Sequence, residues 1–246
     1  MVQSVERAFA VLGALGRGPA GVTAIATRLA LPKSTVSRML STLEELDAVE
    51  RTDDARYRIG PGVAALAAGA EHPTLAALVH PHLEALVEAL GEDAGLALPE
   101  GHAVRYVDQV ESANAVQVRD WTGERAPLHT VPSGLLLLAS WPAAALDDYL
   151  AHPLERRTRH TVVDPAAIRR RLEDVRRGGV AWGREEFAEG ITSVAAPLRD
   201  ARGEVVAAIH VHGPSYRFPP PGEEDAVAAG VTAAAAAISG ELARLG

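Results

Sequence analysis

Two constellations in this 246-residue chain have the residue types and spacing to do chemistry. The first is 31–43, Leu-Pro-Lys-Ser-Thr-Val-Ser-Arg-Met-Leu-Ser-Thr-Leu. Val36, Met39, Leu40, Leu43 and Leu46 fall at helical spacing into one apolar stripe. The other side carries Ser34, Ser37, Arg38 and Ser41, with Lys33 and Thr35 flanking its N-terminal end. That chemistry is recognition rather than bond making. Short hydroxyl side chains keep the face slim enough for a DNA major groove, and an arginine such as Arg38 suits guanine O6 and N7. Lys33 and the positive end of a helix favour phosphate. The plainer alternative is an amphipathic helix with a solvated polar face.

The second constellation is His210 and His212, two apart in a run that alternates like a strand, so both side chains share one face. Imidazoles titrate near neutral pH and offer both donors and acceptors. They suit contacts to a small ligand, a metal-sensing site completed by His129 or His160, or a structural role. A hydrolase built on Ser133 or Ser193 with a histidine is a further alternative. It lacks support, because the chain has no Gly-x-Ser-x-Gly elbow and no His-Glu-x-x-His.

The elements that must position the first constellation are legible around it. Ser4 caps a first helix with Val5, Ala8, Phe9, Val11, Leu12 and Leu15 on its apolar face. Gly16, Gly18, Pro19 and Gly21 break the chain. Thr23 has the character of an N-cap for a short helix over 24–29, and it joins the DNA-contacting candidates there. Ala30-Leu31-Pro32 is the turn into the polar-faced helix, with Pro32 in its first turn. After Leu46, residues 49–51 and 56–59 read as two short strands around a polar turn. A short helix, a tight turn, a slim polar helix and a hairpin make a winged helix-turn-helix, with Arg56 at the wing near phosphate or a minor groove.

Charge supports this division. The chain carries a formal −8, yet residues 1–61 hold eight cationic against seven anionic side chains. That leaves them at +1 and the remainder at −9, so the acidity lies outside the proposed DNA-binding part. Lys33 is the one lysine in the chain. With no cysteine, disulfides and thiolate metal sites are excluded. The first residues alternate charge with helical apolar positions, unlike a secretory leader. The longest apolar run, 226–238, is alanine-rich and short for a bilayer. A cytoplasmic protein with no membrane partner is expected.

Beyond Pro61-Gly62 the spacing predicts a linker helix ending near Gly69, with a break at His72-Pro73. Thr74 caps a helix over 75–90 that Pro81 should kink or divide. Strands are expected over 95–98, 103–110 and 116–119. A helix over 133–139 is apolar all round, and another follows Pro142. Asp164 and Pro165 start an arginine-rich helix closed by Gly178-Gly179, best read as a solvated outer face. Strands over 193–198 and 205–212 and a C-terminal helix over 223–245 complete an α+β domain, with helices on one side of a mainly antiparallel sheet. The division is 1–61 for the DNA-binding domain, 62–74 for the linker and 75–246 for the second domain.

The runs Ser4-Val5-Glu6-Arg7-Ala8, 31–40 and Tyr57-Arg58-Ile59-Gly60 together resemble the IclR family of bacterial transcriptional regulators. The likeness continues through 127–134, 179–191 and 195–203. It implies a GAF-like effector-binding domain after the winged helix, and a small effector between its sheet and the loops around these motifs. A carboxylate or aromatic catabolite is the implied effector class. A homodimer or dimer of dimers on a pseudo-palindromic operator is the implied assembly, with no cofactor, in a repressor of a catabolic operon. The pocket candidates are Trp121, Leu128, Ser133, Gly134, Trp182, Ile191, Ser193, His210 and His212. Relatives often carry small hydroxyls where this chain has His210 and His212, cysteine at Ser193 and an acid at Gly183. These departures detach its effector from that of any relative.

Overall fold

The computed structural model describes residues 3–16, 18–68 and 74–245. The chain divides into two compact units, Met1–Pro73 and Thr74–Gly246. The expected end of the linker helix near Gly69 and the break at His72-Pro73 lie outside the described residues.

In the first unit, helices α1 (Gln3–Leu15), α2 (Val22–Leu29) and α3 (Lys33–Glu45) precede an antiparallel hairpin, β1 (Val49–Arg51) with β2 (Tyr57–Ile59), and then α4 (Pro61–Ala68). Val11, Leu15, Ile25, Val36, Leu40, Leu43 and Val49 fill its core. Ala20 bridges to Tyr57, which ties the loop before α2 to the hairpin. The helix starts differ from expectation. Ser4 lies inside α1. Gly21, in extended conformation, stands at the N-cap of α2, so Thr23 is a helical residue and caps nothing. Pro32 is the residue before α3 rather than within its first turn. Leu46 follows the helix and is exposed, so it leaves the apolar stripe.

The second unit is built on one antiparallel sheet in the order β5-β4-β3-β8-β7-β6. These strands are β3 (Asp93–Glu100), β4 (Ala103–Val110), β5 (Arg125–Pro127), β6 (Ala181–Arg184), β7 (Ile191–Arg199) and β8 (Val205–Pro214). Helices cover both faces, not one. Residues of α5 (Leu75–Leu90) and α9 (Glu224–Leu245) pack with Ile209 and Val211 on one side. On the other side, α6 (Pro132–Ser140), α7 (Ala143–Ala151) and α8 (Pro165–Gly178) pack with Ala208 and Tyr106. The period-2 alternation of a strand produces this partition. Helix α5 runs through Pro81 without dividing, and Thr74 caps it by accepting from the Ala77 N–H. Residues 116–119 form no strand, and the edge of β4 is paired by β5 instead.

By length and composition α9 would suffice to cross a membrane, longer than its apolar run suggested. Its apolarity is largely alanine, and Val227, Val231, Ala235 and Ile238 are buried in the core cluster it shares with the sheet.

Candidate functional site

The residues for nucleic-acid contact gather on α3. Val36, Leu40 and Leu43 are buried, while Lys33, Ser34, Ser37, Arg38 and Ser41 are exposed and Thr35 is half-buried. The 3.6-residue period thus turns hydroxyls and cations outward together. Among the described residues neither Lys33 nor Arg38 forms an ion pair. Thr23 is exposed in the first turn of α2. Arg56 is exposed at the hairpin tip, but its guanidinium is engaged. It meets Asp54 at 2.5 Å, and the Asp54 carboxylate also accepts from Thr52 Oγ1 at 2.5 Å. The hydrogen bond from Arg56, then that from Thr52, holds the Asp54 carboxyl down to about 2.

The second constellation surrounds a cavity of about 30 Å³, room for a water or two. It lies on the α6–α8 side of the sheet. Trp121, Ser133, Ile191, Ser193, His210 and His212 line it, as the sequence reading grouped them. Gly183 lines it too. Leu128, Gly134 and Trp182 do not. Leu128 is fully buried in a short 3-10 turn, behind the wall. Gly134 lets α6 settle on that turn, since a Cβ there would meet the Leu128 carbonyl oxygen at 2.1 Å. Trp182 alternates to the other face of β6 and packs near Phe218, with ring centroids 6.1 Å apart.

Sequence reasoning missed Tyr106, Thr130, Val131, Pro132, Glu186, Phe187 and Ala188 as lining residues. Tyr106 had a signal, since it lies on a strand with His210 as its neighbour at 5.1 Å between rings. Glu186 to Ala188 come in on a loop within 179–191, where the family resemblance already pointed to loops around a ligand. Thr158 and Thr161 hold that loop through the Glu185 and Glu186 carbonyls. Arg171 of α8 clamps the Glu186 carboxylate at 2.5 and 2.7 Å and also bonds the Trp182 carbonyl. At the mouth, Trp121 meets Phe187 edge to face at 5.1 Å. Arg119 stacks on Trp121 at 4.2 Å and Arg157 on Phe187 at 4.9 Å, each a cation–π contact.

Three further histidines serve other contacts. His129 bonds the Tyr149 hydroxyl at 2.7 Å and the Glu155 carbonyl at 2.8 Å, and burial depresses its basicity. It therefore completes no site with His210 and His212. Among the described residues no group of three His, Asp or Glu side chains is arranged to hold a metal ion. Ser133 and Ser193 have no hydrogen bond to an imidazole among the described residues, so a nucleophile–base pair is missing. His80 pairs with Asp108 at 2.8 Å, which raises its basicity, and His82 with Glu241 at 3.2 Å; both tie α5 to neighbouring elements. Of the arginines of α8, Arg169, Arg176 and Arg177 turn to Asp147, the Ala139 carbonyl and Asp174 on the exposed side, whereas Arg171 departs from the expected solvated face and holds the buried Glu186.

Comparison with known proteins bears on both units. Residues 4–53 match the IclR helix-turn-helix domain, and residues 68–240 match the domain described as bacterial transcriptional regulator IclR C-terminal. An HTH-type transcriptional regulator of Mycobacterium tuberculosis is 34% identical over 220 residues, 88% of this chain and 84% of the relative. The HTH-type transcriptional repressor AllR of Klebsiella pneumoniae is 31% identical over 223 residues, 89% of this chain and 82% of the repressor. A crystal structure of an IclR homolog from Microbacterium hydrocarbonoxydans, complexed with 4-hydroxybenzoate, superimposes with a TM-score of 0.65 at 28% identity. That alignment covers 99% of this chain and 100% of the homolog.

Proposed function

The chain belongs to the IclR family of bacterial transcriptional regulators, and we propose that it is a repressor whose hold on its operator is set by a small molecule under the sheet. It is a DNA-binding regulator with an effector-binding domain, not an enzyme. The observation that carries the reading is the exposed face of α3. Two cations without ion pairs stand there among three serine hydroxyls, on a helix whose other side is buried. Arg38 reads base edges, Lys33 and the start of α3 grip phosphate, and Arg56 of the wing and Thr23 contact the backbone nearby.

A pseudo-palindromic operator read by two copies of the chain, as a dimer or a dimer of dimers, fits one such helix per half-site. The effector is a small carboxylate or aromatic catabolite, a class that includes the 4-hydroxybenzoate bound by the Microbacterium homolog. It acts by favouring one of two arrangements that differ in affinity for DNA. The protein works in the cytoplasm, where its operator is.

Fluorescence anisotropy with DNA from the promoter region of its own gene, against random DNA of equal length, tests this. The wild type prefers the promoter DNA, with affinity falling steeply as salt rises. Arg38→Ala loses about 1–3 kcal/mol of that preference, whereas Lys33→Ala weakens both DNAs alike and shallows the salt dependence. Equal affinity of the wild type for both DNAs at every salt concentration overturns the reading.

A further inference from the structure

The floor of the cavity holds polar atoms with nothing to bond. His210 and His212 are 5% and 3% exposed, with rings stacked 5.4 Å apart. Nδ1 of His210 and both ring nitrogens of His212 are buried without a hydrogen-bond partner. Asp93 stands opposite His212 in the β3–β8 register. Its Oδ1 accepts from the Ser112 N–H at 2.7 Å, and its Oδ2 is buried without a partner. The His210 ring lies over β3 because residue 95 is glycine; a Cβ there would meet His210 Cε1 at 2.6 Å. Four orphaned polar atoms in one buried cluster cost stability, and native proteins keep such groups where a partner arrives later.

The charges around the pair are few. On β3 there is Asp93, preceded by Glu92, which Arg217 neutralises at 2.5 and 2.8 Å. On β4 there is the Tyr106 phenol, whose burial pushes its acidity out of reach. The 185–188 segment presents Glu186, already clamped by Arg171. Ser193 of β7 and Ser133 of α6 line the cavity without charge. Among the described residues the cations around the cavity are already paired, Arg119 with Glu124, Arg157 with Glu155 and Arg171 with Glu186, whereas the Asp93 carboxylate stands beside the imidazoles. Burial pushes the basicity of His212 down to about 4, against a smaller opposing pull from Asp93. His210 is depressed by burial and then by its neighbour.

An anion entering this floor therefore meets neutral rings and a like charge, and a buried anion without a cationic partner is strongly disfavoured. We propose that the cavity takes a small carboxylate together with a proton, shared between the ligand and the His210–His212 pair. The proton comes from solvent buffer and adds to a ring nitrogen. The imidazolium N–H then donates to the ligand carboxylate, and no covalent bond in the ligand changes. This rests on reading the cavity as the effector site, and at about 30 Å³ that cavity must widen to admit an organic acid.

Calorimetric titration of the full-length protein with benzoate, 4-hydroxybenzoate and pyruvate, each in phosphate and in bis-Tris at matched pH, tests it. The two buffers release protons with different heats, so the difference counts protons taken up. The expected result is about one proton per ligand, with affinity falling about tenfold per pH unit as the pH rises from about 5.5 to 7. In H210Q and H212Q, which keep polar side chains that do not titrate, uptake falls toward zero. The wild-type count needs no variant to fold. Binding with equal heats in the two buffers overturns the proton coupling and leaves the cavity as a ligand site. Undiminished uptake in both variants overturns the role of the pair. No binding of any of the three acids across that pH range overturns the cavity as an acid site, and this proposal with it.

Discussion

Asp54 competes with DNA for the guanidinium of Arg56, the wing cation in the proposed interface. Its carboxylate holds Arg56 at 2.5 Å, so a phosphate must displace an ion pair to reach the guanidinium. Exposed pairs of this kind are weak and screened by salt. Asp54→Asn frees Arg56 and removes a negative charge from the DNA side of the hairpin. Affinity for DNA should rise about three- to tenfold at low salt, and the gain should vanish as salt rises. Anisotropy over a salt series checks this, and unchanged affinity at low salt would place Arg56 away from the backbone. At this scale the sequence was informative wherever alternation decided direction. His210 and His212 share a face because they lie two apart. The same rule puts Trp182 opposite Gly183, so its removal from the pocket was readable too. Leu128 and Gly134 were not, because their role is a helix lying on a turn, a contact that no local spacing announces.

The elements were legible where a cap or a period marked them. Asp164 followed by Pro165 marks the start of α8, and the Asp164 carboxylate accepts from the Ala167 N–H at 2.8 Å. Asp164→Ala leaves that N–H to water and should cost about 1 kcal/mol in chemical denaturation, without changing the denaturant slope. A loss under a few tenths of a kcal/mol would mean the helix start is held by other contacts. Residues 116–119 alternate like a strand but pair with no strand, and the first part of the β4 edge, 103–105, is taken by β5. Their backbone is met by side chains instead, with Arg217 donating to the Val116 carbonyl. The loop that carries Phe187 was marked by the family resemblance, but its packing against the cavity was not. Its hold depends on Arg171, Thr158 and Thr161, which are remote in sequence.

At the level of the whole molecule, the buried imidazoles link stability to pH. An unfolded chain protonates these histidines below about pH 6.5, whereas the folded chain holds His212 neutral down to about 4. The unfolded state therefore binds more protons in that interval. The contribution is whole above it and is lost as the pH falls through it, by up to about 3 kcal/mol for His212. Thermal unfolding of the wild type should drop more steeply from pH 7 to pH 4.5 than that of H212Q; parallel curves would contradict the buried neutral state. The layout of the second unit was legible as an α+β domain but not as a sheet covered on both faces. Apolar stripes on α5 and α9 show that those helices are buried without saying on which side of the sheet. Lys33, exposed at the start of α3, is the sole lysine. An acylating reagent thus finds one ε-amine in the whole chain, at the helix assigned to the operator. The mass shift of the peptide that holds Lys33 would report whether that helix is covered, and on the proposed reading an acyl group attached there would weaken DNA binding.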